Sequence, residues 1–208
     1  MQSEKVDKIF KHLAEMFGEN PKCELDYTSD IELLVAIILS AQCTDKRVNI
    51  VTKQLFARYK TINDYAAADI GELEQMIYST GFYHNKAKNI IALCKILRDE
   101  FGEKIPTSVE VLSKLPGIGR KTASVFMAEF HKVPALAVDT HVIRVGNRLG
   151  LTMHTDPLKI ERDLAAIFDR ENWGKYHLYL VLFGRYHCTA KNPKCENCPL
   201  RDLCKRNL

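Results

Sequence analysis

A chain of 208 residues, 46% apolar and 27% charged, is long enough for one large or two small domains with a real core. Its net charge of +4 permits nucleic acid as a partner without requiring it. No segment reaches the roughly 18 apolar residues of a membrane span, and residues 1–8 hold no apolar stretch of signal type, so the expectation is a chain in a reducing cytoplasm.

The periodicity is helical almost throughout. Val6, Ile9, Phe10, Leu13, Met16 and Phe17 fall at helical spacing. Ser29 with Glu32 predicts a capping box opening a helix over 31–40. Asp45 is the expected cap of the next helix, whose stripe is Val48, Val51, Leu55, Phe56 and Tyr59. Asp69 with Glu72 opens another, ending before Gly81. A helix over 86–101 carries Ile90, Ile91, Cys94 and Leu97 on one face and stops at Gly102 and Pro106. Thr107 with Glu110 predicts a short helix leading into a glycine-rich turn, followed by a helix over 120–131. Asp139 caps the expected helix Thr140–Leu149, and Asp156 before Pro157 starts the next. Trp173–Tyr186 is the last long helix. No alternating strand pattern appears, so the predicted class is all-α, with domain crossings near 20–25 and 132–137.

The turn itself reads Leu115-Pro116-Gly117-Ile118-Gly119-Arg120-Lys121-Thr122-Ala123. Gly117 and Gly119 adopt positive φ cheaply and bring bare backbone N–H groups to the surface. The turn runs into a helix start at Arg120, whose N–H groups and positive dipole end suit a phosphate. A tight helix–helix connection would use the same residues, but the helix signals on both sides and the basic pair favour phosphate binding. Such contacts position a protein on DNA without reading sequence.

Lys121 stands in the first turn of that helix. The dipole there disfavours an ammonium, and partial desolvation acts the same way, so its pKa is expected below the ordinary value of about 10.4 and the amine to be more nucleophilic. Alone, such a lysine is commonly a solvated surface residue. The segment Val138-Asp139-Thr140-His141 supplies a carboxylate that can cap a helix, accept a proton or stabilise positive charge on a sugar. His141 is read as a hydrogen-bonded structural residue.

Of seven cysteines, Cys188, Cys195, Cys198 and Cys204 crowd into the last 21 residues. In a reducing compartment this pattern means metal rather than disulfide. Its spacing, C-x6-C-x2-C-x5-C, has a single C-x2-C knuckle, so it admits either zinc or a 4Fe–4S cube. The first loop holds Lys191 and Lys194, which a pinned metal would present to a phosphate backbone. Two further loops, 40–45 with Gln42 and 80–86 with Phe82, offer side chains that would enter a duplex beside an extruded base. By themselves they read equally as a buried glutamine and a core-closing aromatic.

Taken together these residues resemble the helix–hairpin–helix DNA glycosylase superfamily, specifically its endonuclease III branch. The resemblance covers essentially the whole chain. It rests on S-A-Q-x-T-D at 40–45, G-x-Y-x-x-K-A at 81–87, L-P-G-I-G-R-K-T-A at 115–123, V-D-T-H at 138–141 and the cysteine quartet. It implies two all-α domains with DNA in the cleft between them. One is a six-helix barrel with the hairpin (23–132). The other is a discontinuous helical domain (1–22 and 133–208) whose four cysteines hold a 4Fe–4S cluster rather than zinc. It implies a bifunctional glycosylase and AP lyase acting on oxidised, ring-saturated or fragmented pyrimidines and on abasic sites in double-stranded DNA, as a monomer. Lys121 would attack C1′ and form a Schiff base, Asp139 would assist base loss and proton transfer, and Gln42 would fill the gap left by the extruded nucleotide. Phe82 would be a second wedge, and Gly117, Gly119, Arg120, Lys191 and Lys194 would meet the DNA backbone. The sibling adenine mismatch glycosylase lacks the lysine and carries a glutamate in the helix matching 31–39, where Val35-Ala36-Ile37-Ile38-Leu39 is apolar here. That sibling's added C-terminal recognition domain is not expected either, since this chain ends four residues after Cys204. Ser124, Gly146 and Phe82 depart from the commonest pattern, which has asparagine, cysteine and leucine there. A zinc-stapled DNA-binding module and an iron–sulfur redox protein are the competing readings.

Overall fold

The computed structural model describes residues 2–205, with side-chain environments from Glu4 onward, and every α or 3-10 element among them is helical. In chain order the helices are α1 (Gln2–Phe17), α2 (Asp30–Leu39), α3 (Asp45–Arg58), α4 (Ile62–Ala66), α5 (Ile70–Ile77), α6 (Tyr83–Phe101), α7 (Val109–Leu112), α8 (Arg120–Glu129), α9 (Thr140–Leu149), α10 (Pro157–Ile167) and α11 (Trp173–Tyr186). Short 3-10 turns span Tyr78–Thr80 and Arg170–Asn172. The all-α expectation holds. No helix is long and apolar enough to cross a membrane among the described residues.

The chain divides into two compact units, Glu24–His131 and the discontinuous pair Met1–Cys23 with Lys132–Leu208. In the first unit α2 is the axis. Every residue from Ile31 to Leu39 is buried, and from Leu33 onward all are apolar, which is the signature of a central helix buried on every side. It packs against α3, α6 and α8. Burying each Leu or Ile of such a helix contributes about 1.5–3 kcal/mol. In the second unit α1 packs on α10 and α11, and α11 packs on α9. Val6, Ile9, Phe10 and Leu13 of α1 share one core with Val142, Val145, Leu149, Ile160, Leu164, Tyr179 and Phe183. Phe10 stacks on Tyr176 with ring centroids 3.8 Å apart.

The caps correct several expectations. Ser29 accepts from the Glu32 N–H, but the Glu32 carboxylate turns to the Thr28 N–H and hydroxyl at 2.6 and 2.8 Å, so the capping box is only half made. Thr44 rather than Asp45 caps α3, because its hydroxyl reaches the Arg47 N–H. Ser108 rather than Thr107 caps α7 for the same reason. A full capping box lies at Thr61 and Asp64, opening α4, which the periodicity did not suggest. Helix α6 begins at Tyr83, before the expected Lys86, because Phe82 takes a left-handed conformation and serves as its N-cap. Asp69, Asp139 and Asp156 cap α5, α9 and α10 as expected.

Candidate nucleic-acid interface and metal centre

In the Glu24–His131 unit the glycine-rich turn joins α7 to α8. Buried Ile118 anchors it, and the Ile118 N–H donates to Leu115 O at 3.1 Å. Gly117 has φ +75°, where side-chain-bearing residues are strained, and a Cβ there would lie 2.8 Å from the Asn89 Cβ of α6. Gly119 differs from the expectation: its φ is −90° with extended ψ, so it needs no glycine for backbone reasons. A Cβ at Gly119 would meet nothing within 4 Å. Its lack of a side chain instead leaves the start of α8 open. Gly119 is the N-cap and makes no side-chain cap bond, and no acidic residue occupies the first turn. The first-turn N–H groups and positive dipole end of α8 therefore lie at an exposed surface beside Arg120. Lys121 is exposed as well, so the partial burial expected for it is not supplied here.

The same unit holds the two candidate wedges. Gln42 is exposed with φ +55°, and Phe82 is 62% exposed with φ +49°. A bulky residue in the left-handed region costs energy and marks a conformation imposed by its surroundings. The reading of Phe82 as an aromatic closing the core is excluded by its exposure, and that of Gln42 as a buried glutamine likewise.

In the discontinuous unit Asp139 is half-buried and its Oδ1 accepts both cap bonds, from the His141 and Val142 N–H groups at 2.9 Å each. His141 is structural, as expected: Arg144 donates to its Nδ1 at 3.0 Å. Burial pushes the His141 pKa down; Asp139 opposes this, and Arg144 and Arg185 assist it. Helix α9 thus carries Asp139 at its start and two arginines further along. Arg144 donates to the carbonyls of Cys188 and Gly184 at 3.1 and 2.7 Å. Buried Arg148 donates to Thr189 O at 2.7 Å, to Ala190 O at 3.2 Å and to the Cys188 Sγ at 3.4 Å. Sequence reasoning missed both arginines, because a helical charge reads as solvated until the segment folded over it is known. Their i, i+4 spacing in α9 was the available signal.

The four cysteines line one cavity with Leu149, Phe183 and Pro193, and none is in a disulfide. The Lys194 N–H returns to His187 O at 3.1 Å and closes the loop that carries exposed Lys191 and Lys194. Burial pushes the Cys198 thiol up; the backbone hydrogen bond at Leu200 opposes this, and Cys188, Cys204 and Cys195 add to it. Four cysteine sulfurs around one cavity suit a positively charged metal group, which would hold them as thiolates. Among the described residues no three side chains converge closely enough to hold a single ion. A cube whose irons each take one thiolate needs no such convergence, and the donor set and cavity fit it better than zinc.

The model for the HhH-GPD superfamily base excision DNA repair protein matches residues 35–170, and that for the iron–sulfur binding domain of endonuclease III matches residues 188–204, from the first to the last cysteine of the quartet. Endonuclease III of Bacillus subtilis (strain 168) is 46% identical over 203 residues, 97% of this chain and 89% of that one. The chain belongs to the endonuclease III family of the HhH-GPD superfamily. Endonuclease III of Synechocystis sp. (strain ATCC 27184 / PCC 6803 / Kazusa) is 48% identical over 88% of this chain and 84% of its own. A solved structure of a trapped endonuclease III–DNA covalent intermediate matches with a TM-score of 0.93 at 46% identity, covering 98% of this chain and 96% of that one. Family membership carries a 4Fe–4S cluster with it.

Proposed function

We propose that Lys121 and Asp139 carry the chemistry of this family member. As an endonuclease III the protein is a bifunctional DNA glycosylase and AP lyase of base excision repair, acting on double-stranded DNA. Its lesions are oxidised, ring-saturated or fragmented pyrimidines. The observation that carries the residue assignment is an exposed lysine in the first turn of a helix whose N-terminus is left open at Gly119.

The phosphate of the damaged strand lies on the N–H groups of the turn beside Arg120. The Lys121 amine, once deprotonated, attacks C1′. The N-glycosidic bond breaks, and the base departs with the electron pair and takes up a proton. The Lys121 nitrogen then gives up one proton, its lone pair forms the C1′=N bond, and the C1′–O4′ bond breaks with O4′ taking up a proton, so that the sugar ring opens to a protonated imine. A proton then leaves C2′, the C3′–O bond breaks, and the 3′ phosphate departs with that electron pair, cutting the strand. Water hydrolyses the imine and returns the amine. Asp139 stabilises positive charge developing on the sugar and relays protons; the bonds to its Oδ1 hold its carboxylate oriented while it does so. Gln42 fills the gap left by the extruded nucleotide and Phe82 enters beside it. Cys188, Cys195, Cys198 and Cys204 would hold the cluster, which would pin the loop that carries Lys191 and Lys194.

Borohydride reduction in the presence of abasic duplex tests the assignment. The intact protein is expected to give a covalent adduct and Lys121→Ala none; on a duplex carrying a damaged pyrimidine, Asp139→Asn is expected to keep normal affinity with much slower base removal. An adduct that persists in Lys121→Ala removes the nucleophile, and normal turnover in Asp139→Asn reduces that carboxylate to a cap.

A further inference from the structure

Lys86 is 5% exposed, an unusual place for a lysine. It also sits in the first turn of α6, where the helix dipole opposes a cation, and that turn has no acidic residue to offset it. Neither helix propensity nor solvation explains it. Its contacts do. The Nζ donates to Leu39 O and to Thr80 O, each at 2.8 Å. Leu39 is the last residue of α2. The preceding carbonyls of Ala36, Ile37 and Ile38 accept from Ser40 N–H, Ser40 Oγ and Ala41 N–H. Leu39 O accepts from the ammonium, at the negative end of the helix. Thr80 ends the 3-10 turn that precedes Gly81. The two carbonyls are therefore no farther apart than two hydrogen bonds laid end to end.

Beyond each carbonyl the chain runs into one of the candidate wedges: Gln42 follows Leu39 by three residues, and Phe82 follows Thr80 by two. Both wedge residues hold positive φ, two of the four side-chain-bearing residues among those described that do. Strain of that kind persists only where the neighbouring chain is held firmly. We propose that the Lys86 ammonium is a positioning group that fixes the bases of both loops to each other, so that Gln42 and Phe82 enter a damaged duplex as a pair. This rests on the reading of those two residues as wedges. Desolvation lowers the Lys86 pKa, partly offset by Cys43, which is the expected result for an ammonium held by neutral carbonyls. A fixed spacing lets one rigid body unstack both strands in a single encounter, with little ordering left to do on binding.

The test uses the cluster-loaded protein with Lys86→Met, which keeps the length and apolar stem but donates to neither carbonyl. Single-turnover trapping is measured on an abasic site in a fully paired duplex and on the same site in a bubble of unpaired bases. Loss of two charge-assisted bonds is expected to slow trapping about tenfold to a hundredfold on the paired duplex. On the bubble, where nothing needs to be opened, the rate should stay close to that of the parent, as should affinity for undamaged duplex. Equal slowing on both substrates assigns Lys86 to general stability and overturns the proposal, and so does no slowing on either. Gln42→Ala and Phe82→Ala are run alongside. If they lack duplex-specific slowing, the wedge reading falls and this inference falls with it. If they show it and Lys86→Met does not, only the role of Lys86 falls. Should Lys86→Met fail to fold, hydrogen exchange in the parent protein decides. The Cys43 and Gly81 N–H groups bond locally to Ser40 O and Tyr78 O, one in each loop. They should open with one shared rate, and two independent rates refute the coupling.

Discussion

Gly117→Ala and Gly119→Ala are the same substitution two residues apart, and the structure gives them opposite consequences. At Gly117 the backbone is left-handed at φ +75°, which costs an alanine about 1–2 kcal/mol. The added Cβ would also sit 2.8 Å from the Asn89 Cβ, well inside contact, and relieving that overlap costs about 1–3 kcal/mol more. The expected loss is therefore about 2–5 kcal/mol. At Gly119 φ is −90° and the new methyl meets nothing, so stability should change by less than about 1 kcal/mol, the cost of alanine at an N-cap. The methyl would stand where a phosphate approaches the start of α8, and duplex affinity should fall there. Urea unfolding followed by circular dichroism, with the cluster intact, reads the first effect, and a binding titration at fixed salt reads the second. Asn89→Gly removes the clashing carbon, so Gly117→Ala should cost less in that background. Equal stability losses at the two positions, or a Gly117→Ala cost unmoved by Asn89→Gly, would refute the reasoning.

Lys191→Ala and Lys194→Ala should weaken binding to all duplexes alike and reduce the slope of log affinity against log salt by about 1 each, without abolishing turnover; an unchanged slope in both removes the loop from the interface. Arg148→Met should lose the bonds to Thr189 O and Ala190 O and leave the loop after Cys188 less firmly held, so iron and sulfide per chain should fall on purification; full cluster content would show that these bonds do not support the cysteine loop. His141 has a folded pKa depressed by burial, so the unfolded chain binds its proton first as the pH falls. Stability present above the ordinary histidine pKa of about 6.5 is then lost as pH drops through that value toward the lower folded one. His141→Gln should flatten this part of the melting profile, and an unaltered profile would assign the loss elsewhere.

Much of this protein was legible because its information is local. Apolar spacing and N-cap residues gave the bounds of α9 and α11, the start of α10 and the buried stripe of α1, since helix formation depends on side chains three and four apart and on the first unsatisfied N–H groups. The turn at 115–123 and the cysteine quartet were legible for the same reason, their chemistry being carried by closely spaced residues. The misplacements were also local: Ser, Thr and Asp compete for a cap at adjacent positions, and only the path of the entering chain decides among Thr44 and Asp45, or Thr107 and Ser108.

What periodicity hid was every residue whose partner lies far along the chain. Lys86 reads as a surface lysine until Leu39, 47 residues away, supplies a carbonyl to it. Arg148 reads the same way until residues 188–190 fold over it, 40 to 42 positions on. Sequence alone determined the helical class, the glycine-rich turn and the spacing of the cysteine quartet. Tertiary structure decided that Gly117 is required by φ and by Asn89 whereas Gly119 is required only by open space. It also decided that Gln42 and Phe82 stand outward in strained conformations. Burial and long-range hydrogen bonding depend on which surfaces meet, and no window of neighbouring residues contains that.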